Sequence, residues 1–355
     1  MKIYLVGGAV RDMLMGLEPN DRDYVVVGSS PNEMLDLGYT QVGADFPVFL
    51  HPDTGEEYAL ARSERKIGPG YLGFETQFDS TVTLEQDLER RDFTMNAIAM
   101  DIESKEIIDP FCGQLDIKNK IIRHTSPAFD EDPLRVIRAA RFYTKYNGFR
   151  IDTNTFRLCK SIAESRSLNE ISDERFWAEF KKVNSKNLVN FFSVLFAFGV
   201  FDHCDMFKDT FGETDLYVFD DMSHNLSHIN RLNIFVARIA YRCNAKLTRP
   251  SVPSDVRWLM SILKSNYNLL YNADEAVDFI SHARGWFDIE RLVIARLALP
   301  YCAFSLEELM IIVARTSKID TSCAIDSSLR KLEGKEIGDW IRNERIKITE
   351  NILKG

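Results

Sequence analysis

The sequence predicts an α+β fold in which a small mixed-sheet head is followed by an elongated all-helical region, and three observations carry that expectation. Strand-like runs separated by Gly, Pro and Asp turns are confined to about the first 125 residues. From Pro133 onward, apolar residues recur at steps of three and four. Within the strand-rich part, a glycine pair, a short helical pattern and an Asp-x-Asp follow one another in that order.

Candidate strands are Lys2–Val6, Asp23–Val27, Pro47–His51, Glu57–Ala61 and Ala97–Asp101. Helical patterns intervene at Val10–Met15, Pro31–Leu37 and Leu84–Arg91, which predicts helices packed against one face of the sheet. Residues 63–80, with Gly68-Pro69-Gly70 and Gly73, read as a long mobile loop of functional use. Helices are expected over 134–146, 171–183, 188–201, 254–264, 289–299 and 306–315, with breakers at Asn147-Gly148 and from Pro250 to Pro253. The most apolar run, Leu188 to Phe201, contains Asn190 and Ser193 and is short for a bilayer, so it reads as a buried helix.

The chain has 355 residues, enough for two or three domains with real cores, and 45% hydrophobic with 27% charged residues describes an ordinary globular protein. The start is not read as a signal peptide, because Arg11 and Asp12 follow the first apolar run closely. Six cysteines without a Cys-x-x-Cys speak against the usual zinc spacings and for reduced thiols, hence a cytoplasmic protein. A net charge of −9 does not announce a nucleic-acid binder, but the basic residues are unevenly spread. Lys118, Lys120, Arg123, Arg135, Arg138, Arg141, Lys145 and Arg150 crowd together, and Arg330, Lys331, Lys335, Arg342, Arg345 and Lys347 form a second group that could equally be a solvated face.

Gly7-Gly8-Ala9-Val10-Arg11-Asp12 and Asp21-Arg22-Asp23 carry the first chemistry. If residues 22–27 form a strand, Asp21 and Asp23 point to one face, and two such carboxylates repel unless a divalent cation lies between them. A hard oxygen pair suits Mg²⁺ held together with substrate phosphates, and side-chain-free glycines let phosphate approach amide groups at a helix start. Either motif alone is common as plain structure; together they read as a nucleotidyl-transfer site.

Arg90-Arg91-Asp92-Phe93-Thr94-Met95-Asn96-Ala97 offers two guanidiniums for phosphate, with Asn96 either bonding a ribose hydroxyl or capping the turn. The bland alternative pairs Arg90 with Asp87 or Glu89. In Glu131-Asp132-Pro133-Leu134-Arg135, Asp132 reads as an N-cap with proline at the first helical position, and Arg135, Arg138 and Arg141 share one face. Cytosine and adenine both present an amino donor beside a ring-nitrogen acceptor, whereas uracil and guanine present the reverse. An Asp acceptor one turn from an Arg donor therefore matches C and A, and sites that leave the wrong base's polar groups unpaired discriminate by about 10⁴ or more.

These segments, with Arg141-Phe142, Gly148-Phe149 and Ile171-Ser172-Asp173-Glu174-Arg175-Phe176, stand in the order seen in class II CCA-adding enzymes, and over residues 1–185 the chain resembles the bacterial tRNA nucleotidyltransferases. The resemblance implies a catalytic head over 1–125, a nucleotide-selecting neck over 126–190 and a tRNA-binding body and tail over 191–355. It implies that Asp21 and Asp23 hold catalytic Mg²⁺, that Gly8, Arg11, Arg91, Arg138 and Arg141 contact the nucleotide, and that Asp132 and Arg135 template CTP and ATP. Glu57 resembles a third acidic position, or else orients Arg62. The expected reaction is in-line attack by the tRNA 3′-hydroxyl on the α-phosphate of CTP or ATP, with pyrophosphate leaving. The expected partner is the tRNA acceptor arm, with neither membrane nor DNA. Rival expectations are a poly(A) polymerase, an enzyme adding only CC or only A, a non-catalytic RNA-binding relative and a signalling enzyme that reads nucleotides.

Two departures accompany the resemblance. His203, His224, His228 and His282 are followed by Cys, Asn, Ile and Ala, so no His-Asp dipeptide supports the phosphohydrolase domain of the bacterial relatives. His224 and His228 have helical ligand spacing but no matched carboxylate set, and Ala44 stands where relatives commonly carry a basic residue.

Overall fold

The computed structural model describes residues 1–19, 21–42, 48–66, 74–77, 80–204, 233–234, 236–237, 253–265, 272–299, 304–324 and 332–354. The positions Gly43, Ala44, Gly68-Pro69-Gly70, Gly73, His224, His228, Arg330 and Lys331 lie outside these. The chain separates into two compact units, Met1–Asp209 and Thr210–Gly355.

The first unit begins with β1 (Lys2–Val6), α1 (Gly8–Leu14), β2 (Asp23–Val27), α2 (Pro31–Asp36), β3 (Thr40–Val42), β4 (Val48–Leu50) and β5 (Glu57–Leu60). It continues with β6 (Ser63–Lys66), β7 (Phe74–Gln77), α3 (Leu84–Glu89), a 3₁₀ turn (Thr94–Asn96), β8 (Ala99–Asp101), β9 (Ile107–Ile108), α4 (Gly113–Asn119) and β10 (Ile121–Ile122). A seven-stranded sheet has the order β3-β4-β5-β2-β1-β8-β9, mixed because β2 runs parallel to β5 while β1 runs antiparallel to both its neighbours. Alternation then sorts the core. Tyr4, Val6 and Val25 pack on one face with Leu88 of α3, whereas Val26 packs with Met34 and Phe49, and Leu5 with Ala9 and Val10 of α1. Both faces of the sheet are thus covered, where helices on one face were expected.

The sheet's register places the chemistry. Val6 lies opposite Asp23, and Asp23 lies beside Glu57, so the glycine pair that follows Val6 meets the first carboxylate of β2. Gly7 has φ 67°, a conformation for which a side chain is strained, and it turns the chain directly into α1. On α3, Thr83 and Gln86 form a reciprocal cap that starts the helix, and Leu88 anchors it, which delivers Arg90 and Arg91 to the same side as Asp23.

The stretch expected to be a mobile loop has antiparallel strands at its ends, since Ser63–Lys66 and Phe74–Gln77 pair as β6 and β7. Gly113, buried at the start of α4, is where a close approach demands glycine: a Cβ there would stand 2.2 Å from the Thr94 carbonyl oxygen and 2.8 Å from Ile98. Because both α4 and the Thr94–Asn96 turn would have to shift, Gly113→Ala should cost about 1–3 kcal/mol. An unchanged thermal midpoint would refute that account of the contact.

Next come α5 (Leu134–Lys145), β11 (Arg150–Ile151), α6 (Thr153–Glu164), α7 (Asp173–Phe180), α8 (Leu188–Ala197) and α9 (Val200–His203). The expected helix 188–201 is two helices, because Gly199 takes φ 78° and breaks it. Helix α6, capped by the Asp152 side chain, has no counterpart in the sequence expectations. The aromatic residues Phe176, Trp177 and Phe180 of α7 stack into Phe191 and Phe192 of α8, forming the apolar centre of this part.

In the second unit the described helices are α10 (Ser254–Lys264), α11 (Ala273–His282), α12 (Ile289–Ala298), α13 (Leu306–Thr316) and α14 (Lys335–Lys354). Of the C-terminal basic group, Arg342 is paired with Asp274 at 2.7 Å and Asp278 at 2.9 Å, and Arg345 lies 3.9 Å over the Trp286 ring. Arg342 therefore fastens α14 to α11, and Arg345 packs α14 against the segment that follows α11. Among the described residues, no helix is long and apolar enough to cross a membrane.

Candidate active site

The residues assigned from the sequence to catalysis and nucleotide binding, Gly8, Arg11, Asp21, Asp23, Arg91, Asp132, Arg135, Arg138 and Arg141, line one cleft of about 650 Å³ in the first unit, and Glu57 is not among its lining. Gly7, Arg90, Asp92, Asn96, Phe142, Lys145 and Lys182 complete its wall. The strand starts at Asp23, so Asp21 precedes it instead of sharing its pleat, yet both carboxylates reach the cleft. Partial burial pushes the Asp23 carboxyl above the usual range, Asp21 pushes the same way, and the Arg91 guanidinium opposes them. Glu57 is exposed beside Asp23 on the next strand. Among the described residues, no group of three or more His, Cys, Asp or Glu converges as a metal cage.

The arginines are positioned by buried acids. Asp87, fully buried, pairs with Arg90 at 2.7 Å and with Arg91 at 2.9 Å, the arrangement expected if the pair were structural. Burial alone would raise its carboxyl, but the two guanidiniums outweigh that and hold it at about 2. Asp92 works alike: burial is overcome by Arg138 at 2.8 Å and by Asn96, leaving it at about 2. Asn96 bridges, with its amide nitrogen donating to Asp92 at 2.8 Å and its oxygen accepting from Arg11 at 2.5 Å. Arg11 also contacts Asp12 at 2.7 Å and lies 5.3 Å from the ring centres of both Phe142 and Tyr146, whose hydroxyl donates to Asp12 at 3.1 Å.

At the start of α5, Asp132 accepts from the Leu134 amide at 3.1 Å, while Pro133 already has helical angles, as the capping argument expects. Its second carboxylate oxygen pairs with Arg175 of α7 at 2.8 Å. Arg135 donates to the carbonyls of Ala128 and Arg90, each at 2.5 Å, so it ties α5 to the end of α3. Arg138 and Arg141 both meet Glu179 of α7, at 2.9 and 2.6 Å, and Lys182 meets it at 3.3 Å. Burial raises the Glu179 carboxyl, and the surrounding cations bring it below its ordinary value.

Motif reading missed Glu179, and it gave neither Asp87 nor Lys145 a part in shaping the cleft. Glu179 was findable, because Arg175 and Glu179 are four apart on one face of a helix rich in aromatic residues. Asp87 had been weighed only as a surface partner of Arg90.

Residues 3–123 match the family model of the poly A polymerase head domain. The chain is 55% identical over 202 residues to a multifunctional CCA protein of Haemophilus influenzae (strain PittGG), covering 56% of this chain and 48% of that protein. It thus spans about half the length of this curated relative. Among solved structures it is similar to the Bacillus stearothermophilus CCA-adding enzyme in complex with CTP, with TM-score 0.68, 22% identity and coverage of 97% of this chain and 88% of the other. It is also similar to the Thermotoga maritima CCA-adding enzyme complexed with tRNA, with TM-score 0.64, 22% identity and coverage of 99% and 87%. The resemblance read from the motifs is borne out, and the α+β fold with its helical continuation is that of these structures.

Proposed function

We propose that this chain, a poly A polymerase head domain carried on the fold of CCA-adding enzymes, adds C, C and A to the 3′ end of tRNA from CTP and ATP with release of pyrophosphate. What carries the reading is that the glycine turn, the Asp21/Asp23 pair and the Asp132–Arg135 helix start, distant in sequence, line a single cleft. Relatives named for CCA addition, with CTP and with tRNA, support the same substrates.

Asp21 and Asp23 fit a divalent cation, since two hard oxygen donors face one space and the raised Asp23 carboxyl gains from a positive partner. Mg²⁺ is the proposed ion, and it would supply acidification of the attacking hydroxyl and neutralisation of the reacting phosphate oxygens. The protein does the rest by position. Gly7 and Gly8 leave room for phosphate at the start of α1, and Arg11, Arg91, Arg138 and Arg141 are held toward the cleft by Asp12, Asp87, Asp92 and Glu179. Asp132 offers an acceptor to the amino group of C or A in exchange for its contact with Arg175, and Arg135 lies one turn along. The second unit is the proposed grip on the tRNA, through phosphates and shape. A cytoplasmic setting accords with the free thiols of Cys112, Cys159 and Cys204, of which Cys159 is pushed up to about 12 by burial.

The test supplies the purified protein with Mg²⁺, tRNA lacking CCA, and labelled CTP and ATP singly and together. Two C additions and then one A are expected. Runs of A on unrelated RNA would sink the reading in favour of a poly(A) polymerase, the name its head family carries. In the same assay, Asp132→Ala should relax the choice of C and A over U and G by about 10²-fold or more. Unchanged selectivity would refute the template role.

A further inference from the structure

The basic side chains around the cleft are almost all neutralised from within. Arg11 has Asp12, Arg90 and Arg91 share Asp87, Arg138 has Asp92, and Arg138, Arg141 and Lys182 share Glu179. Arg135 commits two of its five donors to backbone carbonyls. Lys145 lines the same cleft, and among the described residues it has no carboxylate in ion-pair contact. Its one close contact is an aromatic ring, with Nζ 5.0 Å from the centre of Tyr146. That ring is fixed in turn, because the Tyr146 hydroxyl donates to Asp12, which holds Arg11.

The charges that act on the carboxylates of the cleft differ from those that act on Lys145. Around Asp23 the acting charges are Asp21 and Arg91. Around Lys145 they are Arg11, Asp12 and Arg141, and burial together with the two guanidiniums lowers its pKa. A third cation brought beside two others costs free energy unless an anion of several charges joins them. The α-phosphate of a nucleotide belongs at the carboxylates, where the cation would be held. Its remaining phosphates are then left to the basic side chains.

We propose that Lys145 grips the outer phosphates of the incoming nucleoside triphosphate, and the pyrophosphate released from it, so that it reads the length of the polyphosphate tail. This rests on the nucleotide-transfer reading of the cleft. A lysine is suited to the task, being a compact point charge on a flexible stem that follows the phosphates as the bond to the α-phosphorus breaks. The competing account is that Lys145 merely complements the negative C-terminal end of α5. That role would affect stability and leave phosphate number irrelevant.

The experiment measures binding of CTP, CMP, inorganic pyrophosphate and tRNA lacking CCA to the full chain by calorimetry, for the parent, Lys145→Met and Lys145→Arg. Lys145→Met should weaken CTP and pyrophosphate about tenfold, with CMP nearly unchanged and Lys145→Arg close to the parent. Equal weakening of CTP and CMP, or no weakening, overturns the assignment. So does a loss confined to tRNA binding, which would place an RNA phosphate on Lys145. A parent that binds pyrophosphate but not CTP, with Lys145→Met abolishing that binding, would leave this inference standing and defeat the nucleotide reading. Binding of neither would defeat both.

Discussion

Asp23→Asn is expected to cut nucleotide addition about 10³-fold or more while leaving the fold at least as stable as the parent. The activity loss follows from removing one of two carboxylates that would hold the cation, a contribution of several kcal/mol to the barrier. The stability half follows from the sign of the pKa shift. Burial and Asp21 raise the Asp23 carboxyl, so its ionised form is the disfavoured one in the folded protein at neutral pH. A neutral isostere removes that penalty. The thermal midpoint without metal should therefore equal or exceed the parent's, and added Mg²⁺ should stabilise the parent and not the variant. A variant that is clearly less stable than the parent would show that Asp23 is held by favourable contacts and is not a strained ligand.

Glu179→Ala is expected to be the most damaging change outside the cleft lining, costing about 3–5 kcal/mol. It strands Arg141, which is 8% exposed, and removes one of the two acids on Arg138. Unfolding in urea would register it as a midpoint lowered by that free energy divided by the m-value. Glu179→Gln should recover part of the stability, since the amide keeps an acceptor for the arginines. Because α5 would lose its fastening to α7, the glutamine variant should also weaken CTP and ATP alike. A variant with parental stability would mean that Glu179 and its cations merely coincide in space.

The cleft was legible in the sequence because its parts are motifs with local meaning. A glycine pair before a helix, an Asp-x-Asp at a strand start and a proline after a capping Asp each say what they do without the rest of the chain. Their convergence was also legible in part: Arg135, Arg138 and Arg141 step along one helix face by arithmetic. The acids that hold those arginines were harder, since pairing across elements carries no spacing rule. Asp92 sits among polar neighbours and looks like a surface residue until α5 brings Arg138 onto it. The helices Gly113–Asn119 and Thr153–Glu164 escaped for a different reason. The first starts after Cys112 in a left-handed conformation and the second hides its small apolar face under polar residues, so periodicity alone is weak in both.

The pairing of Val6 with Asp23 has a consequence for how the chain can tolerate change. The link from Met15 to Pro19 only has to return the chain to Asp21, so its length is free to vary without disturbing the cleft. Inside β2 there is no such freedom. A single inserted residue there would rotate every following side chain to the opposite face, sending Val25 toward the α2 side and Val26 toward the α3 side, or, if those kept their places, would part Asp23 from the glycine turn. The boundary between what can drift and what cannot thus runs just before Asp21, the first carboxylate of the cleft.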